Sequence, residues 1–250
     1  MLMMPQLSLW SARPKCLSLG PNEVHVWRAY LRQPLEKALT LCRILAPDEY
    51  RRAESFFCLE ARARFMTTRG ILRTILSYYL QMSPDLLCFS YNSYGKPSLR
   101  QTSVTDDLRF NVSHSHEMAL YAVTLGRETG LDLEYVRLGV VCERIAERFL
   151  SKKEVEILRA LPPNQRMAAF FSCWTCKEAY VKARGWGLSI PLDSFDVSPS
   201  AEEPAKPLLI RDNTQDSSTW SLRELTPGDG YVAALVVEGN NCQVSCWQWE

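Results

Sequence analysis

Apolar and polar residues alternate along "VHVWRAYL" (24–31), a period of two that predicts a β-strand. From Ala46 to Met82 the period turns helical. That run is long enough for two helices and is opened by Pro47, a residue favoured in a first helical turn. Strand patterning returns in "LLCFSY" (86–91), "RFNVSHS" (109–115) and "MALYAVTL" (118–125), with a turn at "NSYGKP". "GLDLEYV" (130–136) is a further strand. Helices follow in "CERIAERF" (142–149) and "LSKKEVEILRA" (150–160), where Ser151 and Glu154 have capping-box spacing. "PPNQ" (162–165) breaks the helix, and "RMAAFFSCWTCKEAYVKARGWG" (166–187) forms another that ends in glycines. "SFDV" (194–197) predicts a strand. "TWSLREL" (219–225) and "YVAALVV" (231–237) predict an antiparallel pair around "TPGDG".

The second half of this pattern repeats the first. Val26 and Leu131 lie in the opening strands, Glu49 and Glu154 at helix starts, and Phe89 and Phe195 in the following strands, at offsets of 105, 105 and 106 residues. The expected architecture is α+β: a pseudodimer of two similar halves, each a small, mainly antiparallel sheet packed with helices. The boundary is expected in "GRETG" (126–130), giving an N-terminal half 1–127 and a C-terminal half 128–250 with a ligand cleft between them. "SPSAEEPAKPL" (198–208) reads as a polar loop within the second half.

Composition removes several function classes. The 250 residues are 46% hydrophobic and 23% charged, with a formal net charge of +1. This balance gives no global case for nucleic acid or membrane binding. No apolar run approaches the roughly 18 residues of a membrane span, and "MLMMPQLSLWSARPK" does not have the layout of a signal peptide. Nine cysteines in no regular framework suit free thiols in the cytoplasm. Cys173-Trp-Thr-Cys176 is a C-x-x-C, but it lies mid-helix rather than at a helix start, so packing is preferred to redox or zinc chemistry.

Within this frame four groupings stand out. Asp132 and Glu134 project to one face of their strand, a pair of hard oxygen donors suited to Mg²⁺ or, as the pair taken alone rather suggests, two solvated acids on an edge. Glu178 and Lys182 share a helix face, as a metal ligand or base with a phosphate-binding cation, or as an ordinary surface pair. "FNVSHSH" places Asn111, Ser113 and His114 on and after an apolar strand, with His116 two residues beyond. Lys96 follows Gly95 in a tight turn.

The succession "GKP", "FNVSHS", "GLDLE" and W-T-x-K-E-A-x-x-K-x-x-G-x-G, between Gly95 and Gly187, resembles the 4′-phosphopantetheinyl transferases of the Sfp type. The resemblance implies a cleft that holds coenzyme A and Mg²⁺. It further implies transfer of 4′-phosphopantetheine to a serine of an acyl or peptidyl carrier protein, with release of adenosine 3′,5′-bisphosphate. It assigns Asp132, Glu134 and Glu178 to the metal, Glu178 (or a metal-bound water) to proton abstraction, and Lys182 to the pyrophosphate. Lys96, Ser113 and His114 match coenzyme A-binding positions, as do Arg52 and Arg64 more loosely. Trp174 and Lys177 are motif positions without an assigned role.

Two positions depart from the family pattern. Glu49 stands where a cation is expected, which leaves Arg51 or Arg69 to meet the 3′-phosphate, and His116 stands where a small residue is common. Arg144, Arg148, Lys152 and Lys153, interleaved with Phe149 and Leu150, suit an acidic carrier protein, or else form a solvated helix face. One chain supplies both walls of the cleft, so a monomer is expected. A Mg²⁺-dependent nucleotide phosphohydrolase using the same carboxylates is the alternative. The matching strand of the first half has Trp27 and Ala29 in place of the acids, so one active site per chain is expected.

Overall fold

A computed structural model describes residues 10–100, 107–137, 142–197 and 220–250. The first half runs β1 (Ser11–Ala12), β2 (Glu23–Tyr30), α1 (Leu35–Arg43), α2 (Pro47–Glu54), α3 (Leu59–Leu80), β3 (Phe89–Tyr91), β4 (Pro97–Leu99), β5 (Leu108–Ser115) and β6 (Met118–Leu125). The second runs β7 (Thr129–Tyr135), α4 (Cys142–Phe149), α5 (Lys152–Ala160), α6 (Pro163–Arg184), β8 (Trp220–Leu225), β9 (Tyr231–Glu238) and β10 (Gln243–Gln248).

The fold is α+β, and one strand order occurs twice. β2 pairs antiparallel with β6, and β6 with β5. Likewise β7 pairs antiparallel with β9, and β9 with β8. In each half the opening strand joins the last strand of the closing hairpin, and one 22-residue helix, α3 or α6, covers the sheet. Alternation sorts the side chains. Val24 and Val26 of β2 meet Leu131 and Leu133 of β7 in a core shared by the two halves. Trp27 and Ala29 turn instead to the α3 side. Gly130, Asp132 and Glu134 alternate with the shared-core leucines and so face the other way.

Three sequence expectations need correction. The helix before "PPNQ" does end there, at Ala160, but α6 begins at Pro163 rather than at 166: the second proline opens the helix, where its missing N–H costs nothing. "SFDV" is not a strand, because side chains take its backbone groups: Val197 N–H donates to Glu154 Oε1, and Phe195 C=O accepts from Lys177. The chain does not close on the β8–β9 pair either. β10 returns to the first half and pairs parallel with β2, with β1 parallel on its other side. The 198–208 loop lies outside the described residues.

The repeated plan is also visible in a buried polar knot. In the first half the Glu49 carboxylate accepts from Ala46 N–H at 2.9 Å and from Arg73 Nε at 2.7 Å. Arg73 donates onward to Pro84 and Leu87 carbonyls and lies 5.1 Å from the Phe89 ring. In the second half Glu154 accepts from Ser151 N–H at 2.9 Å and pairs with Lys177 at 2.8 Å. Lys177 donates onward to Leu192 and Phe195 carbonyls and lies 4.4 Å from the Phe195 ring. Acid, cation and aromatic thus recur in matching places. Desolvation offsets much of the attraction in such a pair, but removing one partner strands the other charge.

Lys177→Met should therefore lower stability by about 3–5 kcal/mol, a fall in Tm on the order of 10 °C. Thermal unfolding checks this, and an unchanged Tm would show that the knot is not needed for the fold.

Candidate active site

The β7 amides that point toward the first half have no strand to bond with. β5 runs alongside and offers side chains instead. Leu131 N–H donates to Asn111 Oδ1 at 2.9 Å, Leu133 N–H to Ser113 Oγ at 3.1 Å, and Tyr135 N–H to Ser115 Oγ at 3.1 Å. The N-x-S-x-S spacing in "FNVSHS" puts all three on one face of β5, in step with alternate residues of β7. The serine hydroxyls then turn to the acids: Ser113 donates to Asp132 Oδ1 and Ser115 to Glu134 Oε2, both at 3.1 Å.

The other wall is α6. A Cβ on Gly130 would lie 2.0 Å from the Ala179 carbonyl oxygen and 2.2 Å from Ala183 N, so only glycine lets the helix rest on β7. That contact brings Glu178 and Lys182 over the acids. Lys182 Nζ lies 2.5 Å from Asp132 Oδ1 and 3.0 Å from Ser113 Oγ. The ordinary i,i+4 surface pair does not form: Lys182 reaches across to β7 instead. Asp132 is buried, and its Oδ2 has no partner among the described residues.

Three carboxylates with one neighbouring lysine leave excess negative charge. Burial, then Asp132, raises the Glu134 pKa, while Ser115, Lys182 and Arg137 oppose the rise. Burial, then Asp132, raises that of Glu178 as well, with Lys182 opposing. Among the described residues, no three His, Cys, Asp or Glu side chains close around one point as a metal-ligand set. The carboxylates are gathered and electrically coupled rather than already arranged as a shell. A cleft of about 250 Å³ opens beside them, lined by Lys96, Pro97, Asn111, Glu178, Lys182 and Gly185 among others.

Four predicted residues remain: His114, Arg64, Lys96 and Arg52. His114 is exposed on its residue surface, but partial desolvation of its ring, ahead of Lys182 and Arg64, lowers its pKa. Arg64 spans Glu60 and Glu117, reaching from α3 to the β5–β6 turn. Lys96 is held by Glu128 at 2.6 Å and by the Ala183 carbonyl at 2.9 Å, so it ties the "GKP" turn to the end of α6. Arg52 is exposed on α2, 5.7 Å from the Phe56 ring, outside the network around the acids.

The two departures also find a place. Glu49 is the buried acid of the first knot. Arg69 is drawn into that knot, 3.1 Å from Glu49 Oε1, and donates to Tyr91 OH, so it is not a spare phosphate cation. Arg51 remains exposed. His116 takes a left-handed backbone, φ 52°, and stacks on Tyr135 with ring centroids 4.7 Å apart. Sequence reasoning passed over Ser115, Gly130 and Glu128. The polar alternation of "FNVSHS" was the available signal for Ser115; a single sequence carries none for the close approach at Gly130.

The family described as "4'-phosphopantetheinyl transferase superfamily" matches residues 128–236, and the one described as "4'-phosphopantetheinyl transferase, N-terminal" matches residues 27–125. The two matches abut at the crossover between halves. The chain is 42% identical over 240 residues to the 4′-phosphopantetheinyl transferase HetI of a Nostoc strain, covering 96% of this chain and 98% of that protein. It is 29% identical over 174 residues to the transferase Sfp of Bacillus subtilis, covering 69% of this chain and 75% of that one. An L-aminoadipate-semialdehyde dehydrogenase-phosphopantetheinyl transferase of Xenopus laevis is 28% identical over 220 residues, covering 82% and 72%.

All nine cysteines are free, and Cys173 and Cys176 are buried on α6, where burial above all raises their thiol pKa values. Thiolate is the reactive form. In the native protein a thiol reagent should label exposed Cys16, Cys58 and Cys88 well before this pair. Equal rates, read by peptide mass spectrometry, would contradict packing as the role of the C-x-x-C.

Proposed function

The chain belongs to the 4′-phosphopantetheinyl transferase superfamily, and from that premise we propose how its cleft carries the reaction. The enzyme is a 4′-phosphopantetheinyl transferase: it moves phosphopantetheine from coenzyme A to a carrier protein. The observation that carries the mechanistic reading is the gathering of Asp132, Glu134 and Glu178 against Lys182, with one Asp132 oxygen buried and, among the described residues, unpartnered.

This donor set fits a hard divalent cation. Mg²⁺, held by Asp132, Glu134 and Glu178, would supply Lewis acidity to the pyrophosphate of coenzyme A. The chain's own groups do the rest. Glu178, with its raised pKa, is suited to take the proton of the carrier serine as that hydroxyl attacks the phosphorus bearing pantetheine. The bond from that phosphorus to the adenosine 3′,5′-bisphosphate oxygen breaks. Lys182, within reach of Asp132 and the cleft, steadies the charge on the leaving group.

Lys96 lines the cleft, and we assign it to coenzyme A together with Ser113, His114 and Arg64, with exposed Arg52 as a further cation at the α2 surface. Exposed Arg144, Arg148, Lys152 and Lys153 face outward on α4 and α5 as the surface for an acidic carrier. Because both walls of the cleft come from one chain, the working form is a monomer. Free thiols support a cytoplasmic location. Among the described residues no helix is long and apolar enough to cross a membrane. No observation favours simple phosphohydrolysis.

Incubation with coenzyme A, Mg²⁺ and an apo carrier should add the phosphopantetheine mass to the carrier. Asp132→Ala and Glu178→Ala should each abolish that gain while leaving the circular dichroism spectrum intact; normal turnover by either would remove the site as drawn. Lys182→Ala should lower kcat more than it weakens coenzyme A binding, and a defect confined to KM would contradict its role.

The acids also set a pH dependence. Glu134 and Glu178 hold protons in the folded chain at pH values where the unfolded chain has released them. Their contribution to stability is therefore present at low pH and is lost as pH rises through their folded values, above the ordinary 4.5. A cation would offset that loss. With coenzyme A present, Mg²⁺ should raise Tm clearly at about pH 7.5 and much less at about pH 5, where protons compete. An equal shift at both values would mean that the cation does not bind these carboxylates.

A further inference from the structure

Ser115 is buried at the end of β5, next to the left-handed turn at His116. Its hydroxyl has one proton to give. The Tyr135 N–H donates to Ser115 Oγ, so that bond uses a lone pair and leaves the proton free. The acceptor it meets is Glu134 Oε2, at 3.1 Å. Ser113 behaves in the same way one step back along the strand. It accepts from Leu133 N–H and Lys182, and its proton goes to Asp132.

The two acids are not equally held. Asp132 is buried and is bonded by both Ser113 and Lys182. Glu134 is half-buried and has a longer side chain, and Asp132 repels it. Ser115 supplies the hydrogen bond that fixes its carboxylate.

We propose that Ser115 is a positioning residue for Glu134, holding that carboxylate at the cleft so that it acts together with Asp132. The inference rests on the reading of Asp132, Glu134 and Glu178 as the set that holds the divalent cation. It adds that the β5 hydroxyl, which serves the backbone seam with one lone pair, serves the site with its proton. A serine that served only the seam would matter for stability but not for the cation.

The test measures binding of Mn²⁺, as a paramagnetic substitute for Mg²⁺, to the full chain with coenzyme A and no carrier protein, by electron paramagnetic resonance. Ser115→Ala should weaken Mn²⁺ binding about 10-fold, the usual scale for removing a partner of a ligand. Ser115→Thr, which keeps the hydroxyl, should recover most of it. In a Glu134→Gln background the same Ser115→Ala change should add less than about a two-fold loss, because the residue acts through Glu134.

Wild-type Mn²⁺ affinity in Ser115→Ala overturns the proposal, and so does an undiminished loss in the Glu134→Gln background. If Ser115→Ala does not fold, Ser115→Cys takes its place, with a weaker donor at similar volume, and full affinity there overturns it equally. A wild-type protein that binds coenzyme A but no Mn²⁺ removes the metal reading, and this inference with it. Metal binding in the wild type with no effect of Ser115 removes the inference alone.

Discussion

Strand β7 has β9 on one side and, on the other, amide groups that must find acceptors within a buried seam. An unpaired buried amide costs about 1–3 kcal/mol. A continuous sheet would supply carbonyls, but β5 supplies Asn111, Ser113 and Ser115 side chains instead. That substitution has a consequence a carbonyl could not provide. A carbonyl only accepts, whereas a serine hydroxyl accepts and still has a proton to place. The protons land on Asp132 and Glu134, so one ladder joins the two halves and aims the acids.

The position of α6 follows from the same strand. Gly130 leaves room for the helix backbone at Ala179 and Ala183, and this contact determines where Glu178 and Lys182 can reach. Lys177 anchors the opposite face of the helix in the buried knot, with Glu154 and the irregular segment before Val197. The site therefore stands between two fixed surfaces. Flexible loops contribute little to the placement of the acids, which suits a constellation that must tolerate three mutually repelling carboxylates.

Much of this was legible in the sequence because periodicity and capping report local rules. The strand at "GLDLEYV", the Ser151 cap and the Pro47 start of α2 follow from such rules. What the sequence concealed was long-range. β10 is short and pairs parallel across the whole length of the chain, so no local pattern announces it. "SFDV" has strand composition, but Glu154 and Lys177 take its backbone groups. The acids at 132 and 134 were visible, whereas the hydroxyls that orient them appear only once β5 lies beside β7. Lys177, a motif position without a role in the sequence, and Glu49, a departure from the family pattern, are among the most deeply buried groups in the fold.

The repeated strand order raises the question of why the acid cluster lies in one half. The positions equivalent to Asp132 and Glu134 in β2 are Trp27 and Ala29, both fully buried on the α3 side. Trp27 packs 5.9 Å from Tyr78 and donates its indole N–H to Tyr79 OH at 2.8 Å. Rings therefore occupy in the first half the place that the acids and Lys182 occupy in the second. What the first half gives to the acid cluster is β5, whose polar face reaches across the seam to Asp132 and Glu134. The two halves have divided one plan between them: one kept the packed core, and the other exchanged that packing for charge, which the first half's serines hold in place.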